Sequence, residues 1–157
     1  MSLSRENVQD YPRPPALEPV AESLSVVLNG VEIASTTRGF RVLETHHAPS
    51  YYFPPDDILP GILRPSAGRT VCEWKGIAQY FDVIVEPREE IRAAWSYPAP
   101  SEAFAAIADH VAFYPRQMDA CRVGGATVEP QPGGFYGGWA TPNLDGILKG
   151  RPGTEGW

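Results

Sequence analysis

Hydrophobic and polar residues alternate most regularly in the stretch TVCEWKGIAQYFDVIVEPREEIRAAWSYP, which covers residues 70–98. Alternation with period two is typical of β-strands, because successive side chains point to opposite faces of a sheet. The pattern predicts strands over Thr70–Trp74, Ile77–Glu86 and Ile91–Tyr97. Both faces of the middle strand are partly apolar, so we expect this strand to be central and covered on both sides.

Two glycine-containing dipeptides predict β-hairpins elsewhere in the chain. Asn29-Gly30 is the strongest signal, because both residues tolerate the positive φ angles that a type I′ turn requires. Gly124-Gly125 is the second. The strands expected to flank these turns are Ser25–Leu28 and Val31–Ser35 for the first, and Asp119–Val123 and Ala126–Glu129 for the second.

Prolines and glycines divide the remaining chain into short elements. The sequence contains 17 prolines and 15 glycines in 157 residues, which favours many short strands and turns over long helices. A strand is predicted over Arg41–Thr45, and the segment His46–Pro49 ends it. Residues Pro65–Gly68 are predicted to form a loop.

One segment has the period of a helix, over residues 101–114. Ser101 is a suitable N-cap residue, and Pro115 disfavours helical geometry at the residue before it. Apolar residues spaced by three or four positions would form a single stripe along this helix. These residues are Phe104, Ile107, Val111 and Tyr114.

The length of the chain predicts a single domain over residues 23–157. Residues 1–22 are polar and contain Pro12, Pro14, Pro15 and Pro19, so we expect an extended, mobile arm without ladder hydrogen bonds. Residues 130–157 are rich in glycine and proline and show no period. Because this segment also carries aromatic residues, we expect it to wrap over the body of the domain. These residues are Phe135, Tyr136, Trp139 and Trp157.

Composition and charge exclude several function classes. The formal net charge is −6 and no run of basic residues is present, which argues against nucleic-acid binding. No apolar run approaches the roughly 18 residues that would span a bilayer, so no membrane association is expected and a cytoplasmic location is predicted. The two cysteines, Cys72 and Cys121, have no metal-binding spacing. We therefore expect neither a metal nor a cofactor.

Three residues are candidates for catalysis: Glu44, His46 and Lys75. Glu44 and His46 would share a strand face if the strand continued that far, and a carboxylate beside an imidazole suits a general base. Lys75 precedes a glycine, and it suits the binding of an anionic group or the role of a desolvated amine. The alternatives are an edge-strand Glu44 with a solvent-facing His46, and a surface Lys75 paired with Glu73.

Tyrosine and tryptophan residues form the strongest collective signal, since they combine apolar area with a polar group and suit the walls of a pocket. The alternative is that they only pack in the core and beneath the carboxyl-terminal segment. The residues that we predict to bind a ligand are Tyr51, Tyr52, Lys75, Tyr97, Tyr136 and Trp139.

Five short strings occur together along the chain: YYFP at 51–54, CEWKG at 72–76, AAWSYP at 93–98, HVAFYP at 110–115 and GFYGGW at 134–139. As an ordered set they resemble the bacterial family catalogued as domain of unknown function 427, which also carries a nucleotidyltransferase-like label. The resemblance runs from about Leu24 to Trp157. It implies a compact, mainly β (α+β) fold of strongly bent antiparallel sheets, similar to the β-tent or Mss4-like group, with one helix. It implies no mechanism.

These observations support a small-molecule-binding domain, which could also be an enzyme, with its cleft between the bent sheet and the carboxyl-terminal segment. Glu44, Tyr52, Lys75 and Tyr97 would supply polar contacts. The alternative is a non-catalytic module that forms a homodimer through its aromatic carboxyl-terminal segment. A nucleotidyltransferase is disfavoured, because such an enzyme requires a glycine-rich phosphate loop and spaced carboxylates for Mg²⁺.

Overall fold

The computed structural model describes residues 3–133 and 136–154, and it is mostly β. Its helical segments are short 3-10 turns at Val8–Asp10, Pro55–Asp57, Glu102–Ile107 and Pro115–Gln117. The strands are β1 (Glu6–Asn7), β2 (Ala16–Pro19), β3 (Leu24–Leu28), β4 (Val31–Thr36), β5 (Phe40–Leu43), β6 (Ser50–Tyr52), β7 (Leu63–Cys72), β8 (Gly76–Val85), β9 (Arg88–Ser96), β10 (Val111–Phe113), β11 (Ala120–Val123), β12 (Ala126–Thr127), β13 (Glu129–Pro130), β14 (Trp139–Ala140) and β15 (Leu144–Asp145).

The strands form several open sheets, and this confirms the prediction of a mainly β fold with antiparallel pairing. One four-stranded sheet has the order β10-β9-β8-β7, and another has the order β12-β11-β3-β4. A three-stranded sheet, β2-β5-β6, lies beside them, and β13 pairs with β14. These pairs are antiparallel, whereas β1 and β15 pair in parallel. No helix in the described ranges is long and apolar enough to cross a membrane.

Both predicted hairpins are present. β3 and β4 pair through Leu28 and Val31, and the turn residues Asn29 and Gly30 have φ angles of 52° and 73°. Both angles lie in the left-handed region that a type I′ turn uses. The second hairpin joins β11 to β12, and β11 also pairs with β3. The two hairpins therefore form one continuous sheet.

The apolar side chains form a large core cluster and two smaller ones. The large cluster draws on both four-stranded sheets and includes the buried residues Leu24, Val83 and Phe113. A second cluster contains Tyr52 and Trp95 and lies next to the cavity described below. The third holds the amino-terminal segment, with Val8, Tyr11 and Leu43 as its buried members.

The predicted helix over residues 101–114 is wrong. Glu102–Ile107 is a 3-10 helix that contains a non-helical residue, and Asp109 has a φ of 60°, which ends any helical continuation. Residues Val111–Phe113 instead form β10, which pairs with β9. The unpaired edge of β9 offers these residues backbone partners, and this non-local pairing overrides the local propensity for a helix. The apolar residues spaced by three or four positions therefore belong to a 3-10 turn and to the strand that follows it, and not to one helix.

The amino-terminal segment does form ladder hydrogen bonds, contrary to the prediction made from its prolines. Ala16–Pro19 is strand β2 and pairs in register with β5. Arg41 of β5 binds Glu18 through Nε at 2.6 Å and Glu6 through both Nη atoms at 3.0 Å. These partly buried ion pairs hold the arm on the sheet. The assignment of residues 1–22 as a separate arm stays a prediction.

A β-bulge interrupts the pairing of β8 with β9 and changes which residues are buried. Between β8 and β9 the pairing moves from Phe81–Ala94 to Val83–Glu90, so Asp82 faces a bulged segment that contains Arg92. Alternation therefore fails across the bulge: Ile77 is 53% exposed whereas Val83 is completely buried. The predicted loop Pro65–Gly68 lies inside β7, where the pairing with β8 is likewise interrupted.

The Asp82 carboxylate stabilises this bulge. It accepts hydrogen bonds from the backbone N–H of Arg92 at 2.9 Å and from the Arg64 guanidinium at 3.0 Å. Arg92 has a φ of 50°, an angle that few side chains other than glycine adopt at low cost. The N–H of Arg92 and the cation of Arg64 lower the pKa of Asp82. The stabilisation is therefore present above the ordinary carboxyl pKa and is lost as the pH falls below about 4.

We expect Asp82→Ala to lower the free energy of unfolding by about 2–3 kcal/mol, because it removes hydrogen bonds to a charged group and leaves the Arg92 N–H without its acceptor. Chemical denaturation at pH 7 would measure this loss. The control is Asp56→Ala, since Asp56 is exposed, and it should change the stability by less than about 0.5 kcal/mol. Equal losses for the two variants would contradict this role of Asp82.

Candidate functional site

A cavity of about 250 Å³ lies between the sheets and the carboxyl-terminal segment. One wall comes from β5, β6, β8, β9 and the loop after β5. The opposite wall comes from Gln131 and residues 136–138. The lining residues are Val42, Glu44, His47, Ala48, Ser50, Tyr52, Lys75, Tyr80, Trp95, Tyr97, Tyr114, Gln131, Tyr136, Gly137 and Gly138.

Lys75 is positioned by the turn between β7 and β8. β7 ends at Cys72, two residues before the predicted end, so Trp74 and Lys75 lie in the turn. Ser101 ties this turn down: its N–H donates to Lys75 O at 3.0 Å and its hydroxyl donates to Trp74 O at 2.7 Å. Ser101 was predicted to be a helix N-cap, but its side chain makes no capping hydrogen bond and binds the turn instead. Backbone contacts therefore fix Lys75 at the cavity.

The side chain of Lys75 is largely buried beside the cavity, and its ammonium group forms no ion pair among the residues that the structure describes. Lys75 is 9% exposed, and no carboxylate in the described ranges forms an ion pair with it. Its neighbours are aromatic: Nζ lies 5.8 Å from the ring centroids of both Tyr97 and Phe104. Cation–π contacts contribute about 0.5–2 kcal/mol, which offsets only part of the cost of burying a charge.

Tyrosine hydroxyls supply further polar groups at the cavity. The Tyr52 oxygen accepts a hydrogen bond from Trp95 Nε1 at 3.2 Å, which leaves its own O–H without an acceptor among the described residues. Burial raises the pKa of both Tyr52 and Tyr97, so both remain protonated at neutral pH. Burial, with Tyr80 nearby, raises the pKa of Tyr114 to about 12. These hydroxyls therefore act as donors and not as phenolates.

The side-chain amide of Gln131 connects the two walls. Gln131 is completely buried, and its Oε1 accepts from the Ala48 N–H at 3.0 Å. Its Nε2 donates to Lys149 O at 2.9 Å and lies 3.2 Å from His47 Nδ1. Because a backbone N–H must donate and a carbonyl must accept, these two contacts define the orientation of the amide. Gln131 Nε2 is therefore the donor toward His47.

His47 is held in its neutral form. An Nδ1 that accepts from Gln131 carries no proton, so the neutral ring bears its proton on Nε2. Burial lowers the pKa of His47; Glu44 opposes this shift, and the cations Lys149, Arg13 and Lys75 add to it. His47 thus offers a hydrogen-bond donor to the site, because its basic nitrogen is already engaged.

Glu44 lines the cavity but His46 does not. β5 ends at Leu43 and His46 has a φ of 68°, so the strand does not continue far enough to place the two side chains on one face. The condition for the predicted Glu44–His46 pair is therefore not met. The Glu44 side chain is 26% exposed and lies 4.0 Å from Arg13 Nε. Among the residues that line the cavity, Glu44 is the one carboxylate.

Two glycines allow the carboxyl-terminal segment to approach the opposite wall. A Cβ at Gly137 would lie 2.4 Å from Cη2 of Trp95, and a Cβ at Gly138 would lie 2.6 Å from Ala48 O. Any side chain at either position would collide with the sheet or with the loop after β5. The ring of Trp95 cannot yield easily, since it also packs on Tyr114 with their centroids 4.6 Å apart.

The residues predicted from the sequence to bind a ligand divide into two groups. Tyr52, Lys75, Tyr97 and Tyr136 line the cavity, as does Glu44. Tyr51 and Trp139 do not: their rings pack together in the core with centroids 5.1 Å apart, and Trp139 Nε1 donates to Phe113 O at 3.0 Å. Adjacent residues of a strand point to opposite faces, which is why Tyr52 reaches the cavity and Tyr51 does not.

Other lining residues were not among the predicted site residues. Tyr80 and Trp95 are among the tyrosine and tryptophan residues that formed the collective signal in the sequence, and their position in neighbouring predicted strands could have identified them. His47 was recognised only as part of the segment that ends the strand. Gln131 lies in a segment without any period, and no local pattern marks it. In the described part of the chain, no group of three or more His, Cys, Asp or Glu residues is placed to hold a metal ion.

A family model described as NTP_transf_9, Domain of unknown function (DUF427), matches residues 16–124. The match covers more than half of the chain, and the chain therefore belongs to this family. The matched range begins before Leu24, the residue from which the sequence resemblance was expected to run, and it ends before the GFYGGW string. The wall formed by Gln131 and residues 136–138 thus lies beyond the matched range. A search of curated proteins finds no match.

We expect NMR titration to give His47 a pKa below the ordinary value of about 6.5, and Gln131→Glu to raise it, because a carboxylate favours a proton on Nδ1. A lowered pKa in the folded state also means that the free energy of unfolding falls as the pH drops below about 6.5, since the unfolded chain takes up the proton first. The control, His110→Gln, should leave the titration of His47 unchanged. A wild-type His47 that titrates at or above 6.5 would contradict this arrangement.

We expect Gly137→Ala to lower the free energy of unfolding by about 1–3 kcal/mol, because the new Cβ overlaps the ring of Trp95. Urea denaturation would measure the loss. Gly125→Ala is the matched control, since a Cβ at Gly125 has no neighbour within 4 Å. If the two variants were equally stable, the close packing of residues 136–138 against Trp95 would be wrong.

Proposed function

We propose that this domain binds a small molecule in the cavity between the sheets and the carboxyl-terminal segment. The observation that carries this proposal is Lys75, a residue that is only 9% exposed, that lines the cavity, and that has no acidic partner in the described ranges. Burying an uncompensated charge costs several kcal/mol, so a lysine in such a place reduces the stability of the empty protein. Residues that violate the rules of stability in this way concentrate at functional sites.

The surroundings of Lys75 support the same proposal. The lining combines six tyrosine and tryptophan side chains with five other polar or charged side chains, so aromatic rings and convergent polar groups meet at one place, as they do in ligand sites. Ser101 holds the turn that carries Lys75, and Gln131 holds the opposite wall. The polar groups are therefore positioned before any ligand arrives, and this reduces the entropy lost on binding.

The alternative of self-association depended on aromatic residues of the carboxyl-terminal segment being available to a second copy. Trp139 is completely buried within its own chain. Tyr136 lines the cavity, and its ring lies 5.3 Å from that of His47. Phe135 and Trp157 lie outside the described residues. Small-molecule binding is therefore the proposal that these contacts favour.

The nucleotidyltransferase label of the family receives little support from the cavity. Phosphoryl-transfer sites hold Mg²⁺ through carboxylates and cradle phosphates with a glycine-rich loop. The described lining contains one carboxylate, Glu44. Gly137 and Gly138 also line the cavity, but a Cβ at either would meet Trp95, Gln131 or Ala48, so these glycines serve close packing.

We expect Lys75→Met to raise the melting temperature of the empty protein and to abolish the response to ligands. Methionine removes the buried charge at similar volume, which commonly stabilises a fold. A thermal-shift screen of small metabolites on the wild type would identify ligands, and calorimetry would compare their affinities for the variant.

Arg122→Met is the control, since Arg122 is an exposed cation on β11 that does not line the cavity. This variant should bind like the wild type. Acetylation followed by mass spectrometry gives a second readout, because a ligand in the cavity should protect Lys75 and not Lys149. A screen in which no compound shifts the melting temperature, or ligands that bind Lys75→Met equally well, would overturn the proposal.

A further inference from the structure

The charges around the cavity restrict the chemistry of its ligand. Lys75 contributes one positive charge without a partner in the described ranges, and Glu44 contributes one negative charge, with Arg13 at 4.0 Å. His47 is neutral, because its Nδ1 accepts from Gln131. Lys75 is thus the one cation and Glu44 the one carboxylate in the described lining, while Lys149 lies outside the lining with its Nζ 5.9 Å from the ring centroid of Tyr136. A single negative charge beside Lys75 is therefore the charge that the lining compensates best.

The hydrogen-bond donors around the cavity indicate what the ligand must present. Lys75 has three N–H groups and no hydrogen-bond acceptor in the described part of the chain. The O–H of Tyr52 also has no acceptor there, because its oxygen only accepts from Trp95. Tyr97 remains protonated, since burial raises its pKa. Donors that face the cavity without a protein acceptor favour a ligand that presents oxygen lone pairs on this side.

The size of the cavity sets a further limit. Its volume of about 250 Å³ lies below the range of roughly 300–1,000 Å³ that is usual for drug-sized ligands. A nucleotide would exceed this space and would bring more negative charge than Lys75 can compensate. The rings of Trp95 and Tyr114 form an apolar wall beside it, with their centroids 4.6 Å apart. Such a wall suits a small apolar or planar group.

We infer that the ligand is a small monocarboxylate whose carboxylate binds Lys75 and whose apolar body lies against Trp95 and Tyr114. This inference rests on the proposed function, because it assumes that the cavity is the binding site. It adds the chemical class: one negative charge, two acceptor oxygens, and a body no larger than about a single ring. A carboxylate would satisfy the donors that the empty cavity leaves without acceptors.

Calorimetry with two matched acid and amide pairs tests this inference: benzoate with benzamide, and acetate with acetamide. Each amide keeps the shape of its acid and removes the charge. We expect benzoate to bind about 10-fold or more tightly than benzamide, as charge-assisted hydrogen bonds predict. Benzoate should also bind more tightly than acetate, because acetate lacks the ring that contacts the aromatic wall.

Lys75→Met should remove the preference for acids, whereas the exposed control Arg122→Met should retain it. In protein labelled with [¹³C]lysine, which contains two lysines, benzoate should shift the Lys75 ε signal and leave that of Lys149 unchanged. Amides that bind as tightly as acids, an acid preference that survives in Lys75→Met, or no binding of either acid at millimolar concentration would overturn the inference.

The result distinguishes the inference from the proposed function. If the acids fail while another compound in the metabolite screen binds and protects Lys75, the ligand class is wrong and the site stands. If no compound in either experiment binds, both fail.

Discussion

The side-chain amide of Gln131 is the interaction on which the cavity depends. Its oxygen and nitrogen reach Ala48 and His47 in the loop after β5, and Lys149 near the carboxyl terminus of the described chain. Gln131 lies 83 residues from Ala48 and 18 residues from Lys149 in sequence, so no local element keeps these segments together. A buried amide without its partners costs about 1–3 kcal/mol, and the walls can therefore separate only at the expense of several hydrogen bonds at once.

Local chemistry explains why the hairpins and the mainly β character of the fold were predictable, whereas the strand at Val111 and the bulge at Asp82 were not. Asn29-Gly30 determines a turn by the backbone angles that those two residues tolerate, whatever surrounds them. The segment that contains Val111 had the spacing of a helix, but it pairs with the free edge of β9. The bulge at Asp82 depends on Arg92 and Arg64, which lie ten and eighteen residues away. Contacts between residues that are distant in sequence decide these features, and such contacts leave no periodic pattern of hydrophobic and polar residues.

The residues of the candidate site were likewise predictable from residue type in part, and the remainder depends on strand register and on burial. Glu44, Tyr52, Lys75, Tyr97 and Tyr136 were selected by residue type, and they line one cavity. Residue type could not separate Tyr52 from Tyr51, which points into the core, since only the register of β6 decides between them. It could not find Gln131 either, because a glutamine in an irregular segment gives no sign of its burial.

Lys75 and Gln131 represent opposite solutions to the burial of a polar group. Gln131 satisfies its amide within the protein, and it therefore contributes to stability and holds the walls in place. Lys75 is equally well positioned, through Ser101, but its ammonium group forms no ion pair among the described residues, and the rings of Tyr97 and Phe104 lie 5.8 Å from it. A fold that fixes the backbone of a lysine so firmly while leaving its ammonium group unpaired gains nothing in stability from that charge. The anion that we propose as ligand would make the arrangement favourable, because an ion pair in a largely buried position is screened less than one in water.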